Sequence, residues 1–205
     1  MPDERGIRAG VRAALPFVLP TLLLGASFGV LAKPVLGPFA PIVMSVLVFS
    51  GGAQFAALSV LTSGGATGAA IAAGLLMNAR WVPMRFAIGP SLRGGLRSRA
   101  LQAQAIVDAS FAIAGRGDGT FDRTVLVGAT IPQASAWAAG TVLGVLGGGA
   151  LGDPARLGLD AVFPAFYLSL LAEEARGPRA VAAAVAGATI TVALMPVAPA
   201  GLPVR

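Results

Sequence analysis

Apolar residues run along this chain in long blocks, separated by short clusters of proline, glycine and arginine. The blocks predict about seven helix-length segments. The first, 15–32, carries Pro16 and Pro20, and its Gly25 and Gly29 form a small-xxx-small pair suited to close helix packing. The second, 42–62, lies inside a stretch from Pro34 to Ala79 without a single charge, yet Ser50, Gly51, Gly52 and Gln54 interrupt it near its middle. The third covers 66–90. The fourth, 100–115, is short and carries Asp108. Pro132 kinks the fifth, 124–147; Glu173 and Glu174 stop the sixth, 159–172; the seventh is 180–197. An uninterrupted apolar helix satisfies its own backbone, so the break around Gly51 asks for a reason.

Composition turns this pattern into a fold class. Of the 205 residues 56% are hydrophobic and only 12% charged, and the mean hydropathy is +0.80. Soluble domains are roughly 25% charged. The expectation is an all-α, polytopic membrane protein. It forms one domain over 1–205, with about seven transmembrane or re-entrant helices and at least one interrupted helix. Arg5, Arg8 and Arg12 ahead of the apolar run 13–32 resemble a signal peptide. That run has a spanning length and further spans follow, which predicts a retained first helix. With no cysteine and no histidine, disulfides, thiolate metal sites and imidazole bases are excluded. No enzyme, cofactor or metal site is expected. The net charge of +6 reads as topology and lipid-headgroup signals, with no nucleic-acid footprint.

Orientation stays open at this level. Seven crossings put Arg5, Arg8, Arg12, Arg116, Arg123, Arg176 and Arg179 on one side. Lys33, Arg93, Arg97, Arg99, Arg156 and Arg205 fall on the other, practically a tie. The cluster 93–99 prefers the inside, and a re-entrant segment among the first four would move it there.

The polar residues at membrane depth carry the candidate chemistry. Asp108 is the carboxylate well inside an apolar segment, where a charge costs at least roughly 2.5–3.5 kcal/mol. It is either an ion- or proton-coupling site or a group reaching the interface from a shallow segment. Gln104, four residues earlier, is expected on its helical face. Arg80 is the expected ion-pair partner, since each charge makes the other cheaper to bury. Arg85 and Trp81 read as interfacial anchors. Ser50, Gly51, Gly52, Gln54 and Asn78 are candidate substrate contacts, because unwound glycines free backbone groups for a substrate's carboxylate and ammonium. Close packing is the competing reading for the glycines. No phosphate-binding loop signature is present, so the chain carries no ATPase of its own.

Several blocks in order resemble the AzlC family of branched-chain amino acid exporters. They are Gly25–Ala32, Met44–Gln54 with Phe55, Asn78-Ala79-Arg80, Asp108–Phe111, Trp137 with Gly140-Thr141, and 158–166. The resemblance implies the large subunit of a two-component exporter in a bacterial cytoplasmic membrane. It would work with a small hydrophobic AzlD-like subunit on branched-chain or other small apolar amino acids. Two departures matter. The family usually has histidine where this chain has Trp81, and a second carboxylate where it has Ala109. Members also commonly continue beyond the position of Arg205, so the expectation is either heavier reliance on the partner or a truncated sequence. The expected function is therefore gradient-driven export. The rivals are a non-transporting membrane scaffold subunit or degenerate paralogue, favoured by the departures, and a permease subunit driven by a separate ATPase.

Overall fold

The computed structural model describes residues 4–148, 168 and 177–194. The sixth predicted segment, apart from Leu168, and the block 158–166 lie outside them. Among the described residues every regular element is helical, and the one β feature is an isolated bridge between Gly115 and Phe121. The helices are α1 (Glu4–Leu36), α2 (Ala40–Leu47), α3 (Gly51–Thr62), α4 (Thr67–Ala79), α5 (Trp81–Ile88), α6 (Leu96–Gln104), α7 (Asp108–Ala114), α8 (Arg123–Gly147) and α9 (Pro178–Leu194). Among the described residues one helix, over Gly6–Leu36, is long and apolar enough to cross a membrane by length and composition; α4 and α9 are apolar but shorter.

The spine is a parallel pair, α1 with α8. Its seam is built from glycines. A methyl on Gly10, Gly25 or Gly29 would run into the backbone of α8, and one on Gly128, Gly140 or Gly144 into that of α1. The small-xxx-small pair read from Gly25 and Gly29 is thus a packing face, seated against the backbone at Trp137 and Thr141. Contacts advance together along both helices, Gly6 on Thr124 at one end and Gly148 on Val30 at the other. The two therefore run in the same direction.

Between them the chain makes two hairpins that enter from opposite ends. The predicted second segment is two helices, not one. α2 descends beside α8, with Ser45 at Thr141. After a break at 48–50, α3 turns back: Gln54 bonds to Ser45 nine residues earlier, Phe55 meets Phe28 edge-on at 5.5 Å, and Leu58 joins the cluster of Phe28 and Ala32. A continuous helix would have carried Gln54 about 13 Å beyond Ser45. α4 then runs back along α3, with Ala70 and Ala73 against Ala56 and Val60. α5 continues toward the other end.

The fourth segment is likewise broken, at 105–107, into α6 and α7. The Asp122 amide bonds to the Ala114 carbonyl at 2.9 Å, which returns α7 to the base of α8. Ala114, Ile88, Ile106 and Leu126 form the core there. The expected shared face of Gln104 and Asp108 does not exist, because the break falls between them and puts them on different helices. Two fold-backs also re-sort the charges. Arg93, Arg116 and Arg123 border one cleft at the end where Gly6 of α1 meets Thr124. Lys33 lies in the last turn of α1, at the opposite end.

Candidate functional site

Each break leaves backbone groups without helical partners, and these must be satisfied when buried. At the first tip Phe49 has φ 43°, a left-handed conformation uncommon for a bulky residue. The carbonyls of Leu47 and Val48 accept from the Gln104 side chain at 3.0 and 3.4 Å. Ser50 caps α3, its hydroxyl accepting from the Ala53 amide at 3.4 Å and donating to Asn78 Oδ1 at 2.6 Å. At the second tip the Ala105 carbonyl accepts from Ser110 at 2.6 Å and Thr130 at 2.7 Å. The Val107 amide donates to Ser110 Oγ at 3.0 Å. The tip of α6 thus holds the tip of α2.

The interruption lies just ahead of the glycines. Gly51 and Gly52 are the first turn of α3 rather than an unwound link. A Cβ on Gly51 would sit 2.8 Å from Trp137 Cη2, so the glycine admits the indole. Both amides stand in the first helical turn, where no carbonyl of α3 can accept them.

A cavity of about 100 Å³ opens between the tips. Phe49, Gly51 and Gly52 form one wall and Val107, Asp108 and Ala109 another. Arg80 and Trp81 from the α4–α5 junction, Thr21 and Leu24 from α1, and Gln133 and Trp137 from α8 complete it. Within it Arg80 Nη2 donates to Asp108 Oδ2 at 2.9 Å, each side chain 32% exposed. The expected ion pair is present. The Trp81 indole N–H donates to Asp108 Oδ1 at 3.3 Å, and the Arg80 and Arg85 guanidinium carbons lie 5.7 and 5.9 Å from the Trp81 ring centre. Trp81 is 4% exposed. It is an inward-facing donor, not the interfacial anchor its composition suggested.

Behind the first wall runs a polar network. Trp137 Nε1 donates to Gln54 Oε1 at 3.0 Å, and Gln54 Nε2 donates to Ser45 Oγ at 3.1 Å. Ser45 meets Thr141 Oγ1 at 2.7 Å. Thr141 spends its proton on the Trp137 carbonyl at 3.0 Å, so Ser45 is the donor to Thr141. The chain of bonds closes on Trp137, and Gln54, Ser45 and Thr141 are all buried. Gln54 therefore ties α2, α3 and α8 together from behind the cavity. Ser50 and Asn78 bond to each other, also outside its lining. Of the seven residues singled out from sequence, Gly51, Gly52, Arg80 and Asp108 line the cavity.

Ser45, Trp81, Gln133, Trp137 and Thr141 were not singled out as site residues. The signal that could have flagged Trp81 is its place beside Arg80, where the resemblance leads one to expect a histidine, another ring N–H donor.

Comparison with known proteins bears on the family of the chain. The family described as AzlC protein matches residues 16–151, which include α1 to α8 from Pro16 onward. The chain is 27% identical over 184 residues to the inner membrane protein YgaZ of Escherichia coli, covering 83% of this chain and 74% of the relative. It is 29% identical over 189 residues to an uncharacterized membrane protein of Archaeoglobus fulgidus, covering 91% and 83%. No solved structure matches.

Proposed function

The chain belongs to the AzlC family, and on that premise we propose that it is a multi-pass membrane transporter subunit exporting small apolar amino acids. The observation that carries the reading is the Arg80–Asp108 pair inside a cavity between two opposed hairpin tips. A cation and an anion side by side are complementary to a zwitterion. The substrate carboxylate takes the place of Asp108 beside Arg80 and the free first-turn amides of Gly51 and Gly52, where the helix dipole also favours negative charge. The released Asp108 is neutralised by the ammonium or by a coupling proton. The indoles of Trp81 and Trp137 and the small wall residues suit an apolar side chain.

Membrane placement is supported by an inverted surface. Leu15, Leu19, Leu75, Phe86, Leu143 and Leu146 are each more than half exposed, whereas Gln54, Ser27, Ser45 and Thr141 are buried. That is the pattern of a protein in an apolar solvent. α8 has 25 residues, about 37 Å of helix, and serves as a second span; α4 with α5 makes a third. The hairpins cross halfway and return. On this reading the arginine-rich end faces the cytoplasm. As it stands, the cavity is smaller than the roughly 300 Å³ and upward of ordinary ligand sites. Loading therefore requires the tips to part, as expected of an alternating-access site.

The test is efflux of labelled leucine from proteoliposomes, with and without a small AzlD-like subunit, a proton gradient and ATP. Gradient-dependent efflux is the expected result. Efflux that requires ATP and a separate ATPase would give the permease reading, and none under any condition the scaffold reading.

A further inference from the structure

At the arginine-rich end the structure carries a second site with no part in the cavity between the tips. A cleft of about 460 Å³ is bordered by Pro90, Arg93, Arg116, Phe121, Asp122 and Arg123. Its one carboxylate is already fully used. Asp122 Oδ2 accepts from Arg116 at 2.6 Å, and Oδ1 accepts from the Thr124 amide and hydroxyl and the Val125 amide. These bonds, the Thr124 hydroxyl first and Arg116 next, hold its pKa far below the usual carboxylate range, so it stays ionised and bound. None of the described acidic residues bridges Arg93 or Arg123. The cleft is left with two positive charges in excess.

Pro90 is shared with a neighbouring cleft of about 580 Å³, walled by Val82, Phe86, Arg85 and Arg99. Phe86 there is 79% exposed. A cationic pocket thus adjoins a mainly apolar trough edged by two further arginines.

We propose that the Arg93–Arg123 cleft binds the phosphodiester headgroup of an anionic phospholipid, with its acyl chains leaving along the Phe86 trough. The chemistry is that of a basic pocket at a membrane face, and Arg93 and Arg123 supply donors in the fork geometry that suits phosphate oxygens. A soluble phosphate would satisfy the arginines but has no use for the trough. The proposal rests on the membrane placement above. That placement is checked separately, by whether the chain stays in the membrane pellet after alkaline carbonate extraction.

The test uses purified full-length protein in a neutral detergent. Thermal melting is followed with added phosphatidylglycerol, phosphatidylcholine or inorganic phosphate. Phosphatidylglycerol is expected to raise the melting temperature well beyond phosphatidylcholine. R93Q/R123Q is expected to bind it roughly 25-fold more weakly, at about 1 kcal/mol per basic side chain, while melting as the parent does in phosphatidylcholine. Lys33→Gln, at the opposite end, should keep the full response. Equal responses to the two lipids, or an undiminished response in R93Q/R123Q, would overturn the site. An equal shift from inorganic phosphate alone would overturn the lipid as its occupant.

Discussion

The two hairpins have the same plan and opposite chemistry. Each enters from one end, breaks near the middle, and offers the first turn of its second helix to the cavity. In the α2–α3 hairpin the buried polar groups are neutral and closed on one another: Gln54, Ser45, Thr141 and Trp137 pass hydrogen bonds around a ring. Phe28, Phe55 and Trp137 pack beside them, with ring centres 5.5 to 6.4 Å apart. The α6–α7 hairpin has a charge at its tip, half-open to the cavity and answered from α5's side by Arg80 and Trp81. α6 buries none of its residues. A neutral closed network has nothing to exchange with a substrate; a half-exposed ion pair does. On the proposed reading the α6–α7 hairpin brings the exchangeable charge, while the α2–α3 hairpin brings only the backbone amides of Gly51 and Gly52 in front of a closed framework.

Substitutions at four positions sharpen or break that contrast, the largest effect first. Asp108→Asn removes the charge but keeps the shape. Export should fall about 100-fold, the size of a charge-assisted bond of roughly 3 kcal/mol, with melting temperature nearly unchanged; efflux at the parental rate would remove Asp108 from the mechanism. Gln54→Leu should do the reverse. It strands the Trp137 N–H and a Ser45 lone pair in the interior, at about 1–3 kcal/mol for each buried group left unsatisfied. Detergent melting curves should show the loss, while the surviving folded protein keeps its substrate affinity. A Gln54→Leu protein that melts normally would mean the ring is not framework.

Smaller effects come from the edges. Trp81→Phe keeps the ring and deletes the donor to Asp108, so transport affinity should weaken roughly 5- to 10-fold, about 1 kcal/mol. Trp81→His restores a ring N–H and should recover most of that, read as the leucine concentration for half-maximal efflux. Asp122→Ala removes the cap that ties the α6–α7 hairpin to α8, at about 1 kcal/mol. Because the folded pKa of Asp122 is lowered, its contribution is full above the ordinary carboxylate range. It fades as pH falls through the lowered folded value. The gap between parent and Asp122→Ala should therefore be present at neutral pH and close in strong acid.

Much of this was legible in the residues, for physical reasons. A helix break in a charge-free stretch announces itself through Ser50, Gly51, Gly52 and Gln54, because polar groups there need partners. Asp108 called for a cation, and Arg80 was the available one. A re-entrant segment among the first four was expected, but which segments fold back was not legible, since hydropathy averages over a segment and is blind to its direction. The second break falls in Ala105-Ile106-Val107, with no glycine or proline to mark it, which is why Gln104 and Asp108 were expected on one face. The indoles were missed because a tryptophan counts as apolar or interfacial until its N–H is placed. Gln54 looked like a ligand contact from sequence because nothing in the local pattern reveals Trp137, 83 positions away.

The parallel seam of α1 and α8 sets a timetable for biosynthesis. The glycine face of α1 leaves the ribosome more than a hundred residues before the face that covers it. At roughly 5–20 residues per second, α1 waits on the order of ten seconds with its backbone groove open. During that interval lipid, the insertion machinery or another small-residue helix must occupy it, so the order of assembly, as much as the finished contacts, decides how many chains mature.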